Sequence, residues 1–192
     1  MLGPLAVRSD GEPLSLGGER QRALLGLLLV HANEVVARDT IADELWPGAD
    51  TEAALRSLHV AVSSLRKALG DGAAALVTRA PGYVLEVLPE NVDARRFERL
   101  AADGRSALAA EASDRAAVLL REALGLWRGD VLADLSDARF ASAEAARLAE
   151  LRIGAREDLL AADVAAGRHE ERCPSSRSSS PRSRSASARG RS

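Results

Sequence analysis

Leu55, Leu58, Val62, Leu65 and Leu69 follow one another at intervals of three, four, three and four residues. That spacing puts all five on one narrow stripe of an α-helix, so the segment after Asp50 lies against a core along a single edge. The opposite side carries Arg56, Val60, Ser63, Ser64 and Lys67, with Ser57 and Arg66 at its margins. From Ala53 to Gly70 there is no acidic residue, although the chain has 28 Asp+Glu and a net charge of -2. A solvated helix face normally mixes both signs. This one is cationic, short-chained and interrupted by a bare aliphatic group. Short side chains allow close approach to a surface. Arg and Lys meet phosphates or guanine edges, Ser bonds either phosphate or base, and Val can touch a thymine methyl. An ordinary solvated helix with few acids is the competing account.

The flanking segments favour the nucleic-acid account. "LAV" and "PLSL" surround "RSDGE", whose Asp-Gly suits a tight turn. "GERQRALLGLLLVHA" has helical apolar spacing at Leu24, Leu27, Leu28 and Val30, with Asn33 as a stop. "RDTIADELW" predicts a short helix capped by Asp39 or Thr40 and closed by Pro47-Gly48; Asp50 or Thr51 then caps the third. "ALVTRAPGYVLEV" predicts a β-hairpin with Tyr83, Leu85 and Val87 on one face, a type II turn at Pro81-Gly82 and Arg79 just before the bend. Three helices followed by a hairpin with a basic tip match a winged helix-turn-helix, whose last helix enters the major groove.

"LVTRAPGYVLEV" after "SLRKALG" resembles the OmpR/PhoB type of winged helix. The set "LGPLAV", "GGERQRALLGLLLVHANEVV", "IADELW" and "LRKALG" resembles, more narrowly, the antibiotic regulatory proteins, the SARP group. The resemblance covers about residues 2–88. It implies third-helix DNA contacts at Arg56, Ser57, Val60, Ala61, Ser63, Ser64 and Arg66, and a wing contact at Arg79 with Thr78 and Tyr83 nearby; helical geometry adds Lys67. Family members carry Arg or His where this chain has Ser63, Ser64 and Ala61, which bears on base preference. The resemblance further implies that the loop holding Pro47, Gly48, Asp50 and Glu52 meets RNA polymerase, its two acids facing away from DNA. It implies promoter direct repeats as targets.

Residues 92–171 hold 12 Lys+Arg and 16 Asp+Glu. They read as helices: one capped by Asp93, one starting at Ser113 and stopping at Gly129, and a long one from about Ala138 to Gly167. Paired helices with Ala at close-packing positions read as tetratricopeptide-like hairpins. "REALGLWRGDVLADL" and "ARLAELRIGAREDLLAADVAAGRHEE" resemble the first half of a bacterial transcriptional activator domain. From Arg172 to Ser192, 15 of 21 residues are Ser or Arg, a composition without a core. This tail is read as a frameshift product in preference to a basic DNA-binding arm. On that reading the helical repeat stops without a polar cap, leaving the Leu151–Leu160 helix prone to self-association.

The expected fold is therefore mainly α with small β. A winged-helix domain spans 1–90, a partial activator domain 91–171, and a disordered tail 172–192. No Gly-rich phosphate loop or nucleophile-base set points to an enzyme. One cysteine and the separated His31, His59 and His169 offer no metal spacing, and no cofactor is expected. His59 is expected at the surface, Trp46 and Trp127 in the core. The longest apolar run, "ALLGLLLV", is too short for a bilayer, and the N-terminus lacks signal-peptide features, so the chain is expected in the cytoplasm. Double-stranded DNA and RNA polymerase are the expected partners. A helical protein-protein adaptor is the alternative, since residues 1–91 carry 8 Lys+Arg against 12 Asp+Glu.

Overall fold

The structure is a computed structural model that describes residues 1–9 and 11–167. The Ser/Arg-rich tail, its frameshift origin and His169 lie outside the described residues, as does Asp10 of the first turn. The fold is mainly helical: a winged helix followed by helical hairpins. Strands β1 (Val7–Ser9) and β2 (Glu12–Leu14) form an antiparallel ribbon. Helix α1 (Glu19–Val30) comes next, then β3 (Val36–Ala37), α2 (Arg38–Leu45) and α3 (Thr51–Leu69). After a 3-10 turn, β4 (Leu76–Arg79) and β5 (Gly82–Leu85) make the hairpin. β5 is the central strand of a sheet ordered β3-β5-β4, with both pairings antiparallel.

α3 forms as its stripe requires. Leu58, Val62, Leu65 and Leu69 are buried, Leu55 is half-buried, and Ala54 adds to the buried edge. The Asp50 carboxylate accepts from the Ala53 amide at 3.1 Å and so caps the helix. Gly70 ends it at φ +55, a left-handed position suited to glycine. Two expected caps are corrected. α2 begins at Arg38 directly after the extended Ala37, so Asp39 and Thr40 stand inside its first turn. α5 begins at Ser113 itself and ends at Gly125, ahead of Gly129. The hairpin turn is also corrected: Arg79 pairs with Gly82, the Ala80-Pro81 bond is cis, and the two-residue connection is a type VI turn instead of type II. Gly82 belongs to β5, where a Cβ would collide with the Val36 carbonyl oxygen. Glycine is needed there for the close approach of β3.

α4 (Asp93–Ala109), α5 (Ser113–Gly125) and α6 (Arg139–Ala165) make the helical part. α4 and α5 pack closely because a Cβ at Gly104 would come within 2.6 Å of Leu120 Cγ, and because Ala116, Ala117 and Ala123 are fully buried. Trp127 meets Phe97 edge-to-face at 5.3 Å and lies under the Arg152 guanidinium at 4.3 Å. Trp46 and Trp127 are half-buried against the core, as expected.

α1 joins the two parts. Ala23 to Leu28 are buried without interruption, so the helix is covered on all sides. One side of α1 packs on α3. On another, Gly26 faces Leu135 and Phe140 of the helical part so closely that a Cβ would come within 2.8 Å of Leu135 Cδ1. Polar ties reinforce the junction. Asp93, expected as a simple cap, is the first residue of α4, and its carboxylate takes the Met1 ammonium at 2.8 Å, the Leu2 amide at 3.0 Å and Arg128 at 3.0 Å. The Leu5 amide donates to Asp134 at 2.7 Å, and Arg95 donates to the Val30 carbonyl at 3.1 Å.

Candidate nucleic-acid interface

The outer face of α3 is solvent-exposed at Arg56, Ser57, His59, Val60, Ser63, Ser64 and Lys67. Val60 is 68% exposed, so its methyl groups are open to an approaching surface. Ala61 is half-buried. Gln21 of α1 donates to the Ser64 carbonyl at 3.0 Å and so ties α1 to α3. Ser57 donates to the Ala53 carbonyl at 3.0 Å, which leaves its oxygen lone pairs for an outside donor.

Arg66 leaves this face for the wing. Its Nε and Nη2 donate to the Leu76 carbonyl at 3.2 and 2.8 Å, and Nη2 also donates to Thr78 Oγ1 at 2.9 Å. The planar guanidinium thus clamps the first strand of the hairpin onto the last turns of α3. Arg66 and Thr78, expected as separate contacts, are paired with each other. Arg79 stands at the last rung before the turn, and its Nη2 reaches Glu86 Oε1 at 2.7 Å.

Tyr83 is a correction. It is only 3% exposed, because β5 is flanked by β3 and β4 and all four of its residues are buried. It sits beneath the Arg38 guanidinium at 5.8 Å and offers no surface to DNA. The signal missed was β3: "VVA" before α2 ends in the two-residue strand that covers this side.

In the loop before α3, Pro47, Gly48 and Asp50 are exposed, and Gly48 has φ +77. Glu52 does not face away from the cationic face. It reaches Arg56 Nη1 at 3.1 Å across one helical turn, a pairing that its i,i+4 spacing makes readable. Among the described residues no group of His, Cys, Asp and Glu is placed to hold a metal ion, and no helix is long and apolar enough to cross a membrane.

This surface has a single physical character. A helix face with short polar side chains, one arginine, a lysine and an exposed valine stands beside a hairpin that Arg66 clamps to the helix. The family model "Transcriptional regulatory protein, C terminal" matches residues 11–85, and "Bacterial transcriptional activator domain" matches 92–180. The chain is 36% identical over 178 residues to Regulatory protein DnrI of Streptomyces peucetius, covering 88% of this chain and 65% of that protein. It is 36% identical over 172 residues to Transcriptional regulatory protein EmbR of Mycobacterium tuberculosis, covering 88% of this chain and 44% of that one. The chain therefore spans less than two thirds of these relatives. The structure of Mycobacterium tuberculosis EmbR in complex with a low affinity phosphopeptide superposes with a TM-score of 0.83 at 36% identity, over 88% of this chain and 46% of that chain.

Proposed function

The chain belongs to the SARP family of bacterial transcription regulators, and we propose that it is a sequence-specific DNA-binding activator acting at promoter direct repeats. The outer face of α3, free of acids from Ala53 onward and held against the wing by Arg66, carries this reading. Residues 1–90 are the DNA-binding unit and 91–171 the activator unit. Arg56, Ser57, Val60, Ser63, Ser64 and Lys67 meet the major groove and its phosphates, with Ala61 at the margin of the contact. Arg79 reaches the backbone from the wing. Arg66 and Thr78 act by fixing the wing's position, so their contribution is geometric.

The net acidity of the winged helix does not oppose this, because affinity follows the field at the docking face. The exposed loop of Pro47, Gly48 and Asp50 lies at the start of α3, and Glu52 stands in the helix's first turn beside it. We assign RNA polymerase to the loop. The exposed apolar side chains of α6, Ile153, Leu160 and Val164, favour protein contact, and we assign self-association to them. The protein acts where its DNA is, in the cytoplasm. No catalytic role is proposed.

Fluorescence anisotropy of the whole chain with a labelled duplex of mixed sequence, across a potassium chloride series, tests the reading. Binding that falls steeply and log-linearly with salt is expected. No binding at the lowest salt would leave the helical adaptor as the better account.

A further inference from the structure

Arg79 pairs with Gly82 beside the tip of the wing. Glu86 lies past the other end of the same hairpin: Leu85 pairs with Leu76, and the Glu86 amide donates to the Ala75 carbonyl at 2.8 Å. Yet Arg79 Nη2 donates to Glu86 Oε1 at 2.7 Å. The guanidinium is therefore folded back along the hairpin, away from the tip. Both side chains remain accessible, at 57% and 47%, so the pair is open to an approaching phosphate. A parallel arrangement stands at the start of α3, where Arg56 Nη1 meets Glu52 Oε1 at 3.1 Å. Lys67 has no ion-pair partner among the described residues.

We propose that Glu86 is a specificity-determining residue, an internal competitor that holds Arg79 off the DNA backbone until a well-seated target draws it out, with Glu52 acting likewise on Arg56. The inference rests on the DNA-binding reading above. Non-specific affinity comes almost entirely from cations that neutralise phosphates and release counterions. An arginine already paired with a carboxylate brings little net charge to that encounter. To bind a phosphate it must exchange one ion pair for another, and Arg79 must also swing toward the tip. A cognate site supplies what a random one lacks: α3 seated in the groove holds the wing against the backbone long enough for the exchange. The acids thus weaken random binding more than specific binding, and discrimination rises.

The test is anisotropy of the whole chain on a labelled mixed-sequence duplex across potassium chloride, comparing wild type, Glu86→Gln, Arg79→Gln and the double variant. Freeing an exposed pair of this kind is expected to tighten random-duplex binding about two- to fivefold at low salt, with a steeper salt slope. The gain from Glu86→Gln is expected to be clearly smaller in the Arg79→Gln background, because Glu86 acts through Arg79. A Glu86→Gln protein that binds no tighter than wild type overturns the proposal. So does an equal gain in both backgrounds, which would make Glu86 a general negative charge. If neither wild type nor Glu86→Gln binds at the lowest salt, the DNA-binding reading itself fails and this one falls with it.

Discussion

Arg66 shows how one side chain's role depends on partners ten to twelve residues away. Three hydrogen bonds join it to the Leu76 carbonyl and Thr78 hydroxyl. A lysine cannot reproduce that fork, since its ammonium is a point charge on a flexible stem. Arg66→Ala is expected to cost about 1 kcal/mol of stability, because the group is half-buried and its bonds are partly open to water. It is also expected to weaken DNA binding by a similar factor on every sequence tried, since a loosened wing removes a backbone contact and no base reading. Arg66→Lys should recover less than half of the loss. Chemical denaturation and anisotropy measure both effects, and a variant that changes base preference instead would show Arg66 reading bases directly.

At the scale of elements, α3 and α6 differ in how their faces are used. α3 buries one stripe and exposes a polar, cationic face. α6 runs 27 residues and buries Phe140, Leu148, Ala155 and Leu159, yet leaves Ile153, Leu160 and Val164 about half exposed or more. Leu160 lines a shallow cleft with Leu124, Arg156 and Leu159. Burial, and after it the charge of Arg156, lowers the pKa of Arg152. Leu160→Glu with Val164→Glu is expected to shift the protein toward monomer in sedimentation velocity while leaving its DNA affinity per chain within about twofold, since neither residue belongs to α3 or the wing. An unchanged sedimentation profile would remove these residues from any self-association. The α3 face was legible because helical periodicity is local. The β5 environment was not, because alternation along "YVLEV" cannot tell a central strand from an edge strand.

For the whole molecule, α1 is the shared wall between the winged-helix and helical parts. Phe140 of α6 packs against Gly26 of α1, with ring atoms 3.4 and 3.5 Å from where a Cβ would stand. Phe140→Ala is expected to cost about 3 kcal/mol and to lower the melting of both parts together, in one calorimetric transition. Two separated transitions would show that the parts unfold independently. Asp93 reports on the same junction. Burial alone would push its carboxyl up, but the Met1 ammonium, the Leu2 amide and Arg128 hold it below the usual carboxylate range. A carboxylate with a depressed folded value contributes stability above about pH 4 and loses it as pH falls toward that lower value. Asp93→Asn is therefore expected to be less stable than wild type at neutral pH and to show a shallower loss on acidification. Urea midpoints between pH 7 and 3 measure the difference, and parallel curves would rule Asp93 out as a contributor.

What the chain's order of residues determined by itself is what near neighbours can set. The 3-4 spacing from Leu55 to Leu69, the Asp50 cap, the hairpin around Ala80-Pro81 and the Glu52–Arg56 spacing all act within a turn or two of backbone. Such short-range terms are nearly independent of the rest of the fold. The tertiary structure alone decided which polar groups meet across loops: Arg66 with Thr78, Arg79 with Glu86, and Asp93 with Leu2 and Arg128. It also decided that Tyr83 is buried and that α1 is covered on all sides. Those outcomes depend on β3 returning beside β5 and on two domains closing over one helix. Burial is set by everything that packs around a residue, and neither packing partner is adjacent in the chain.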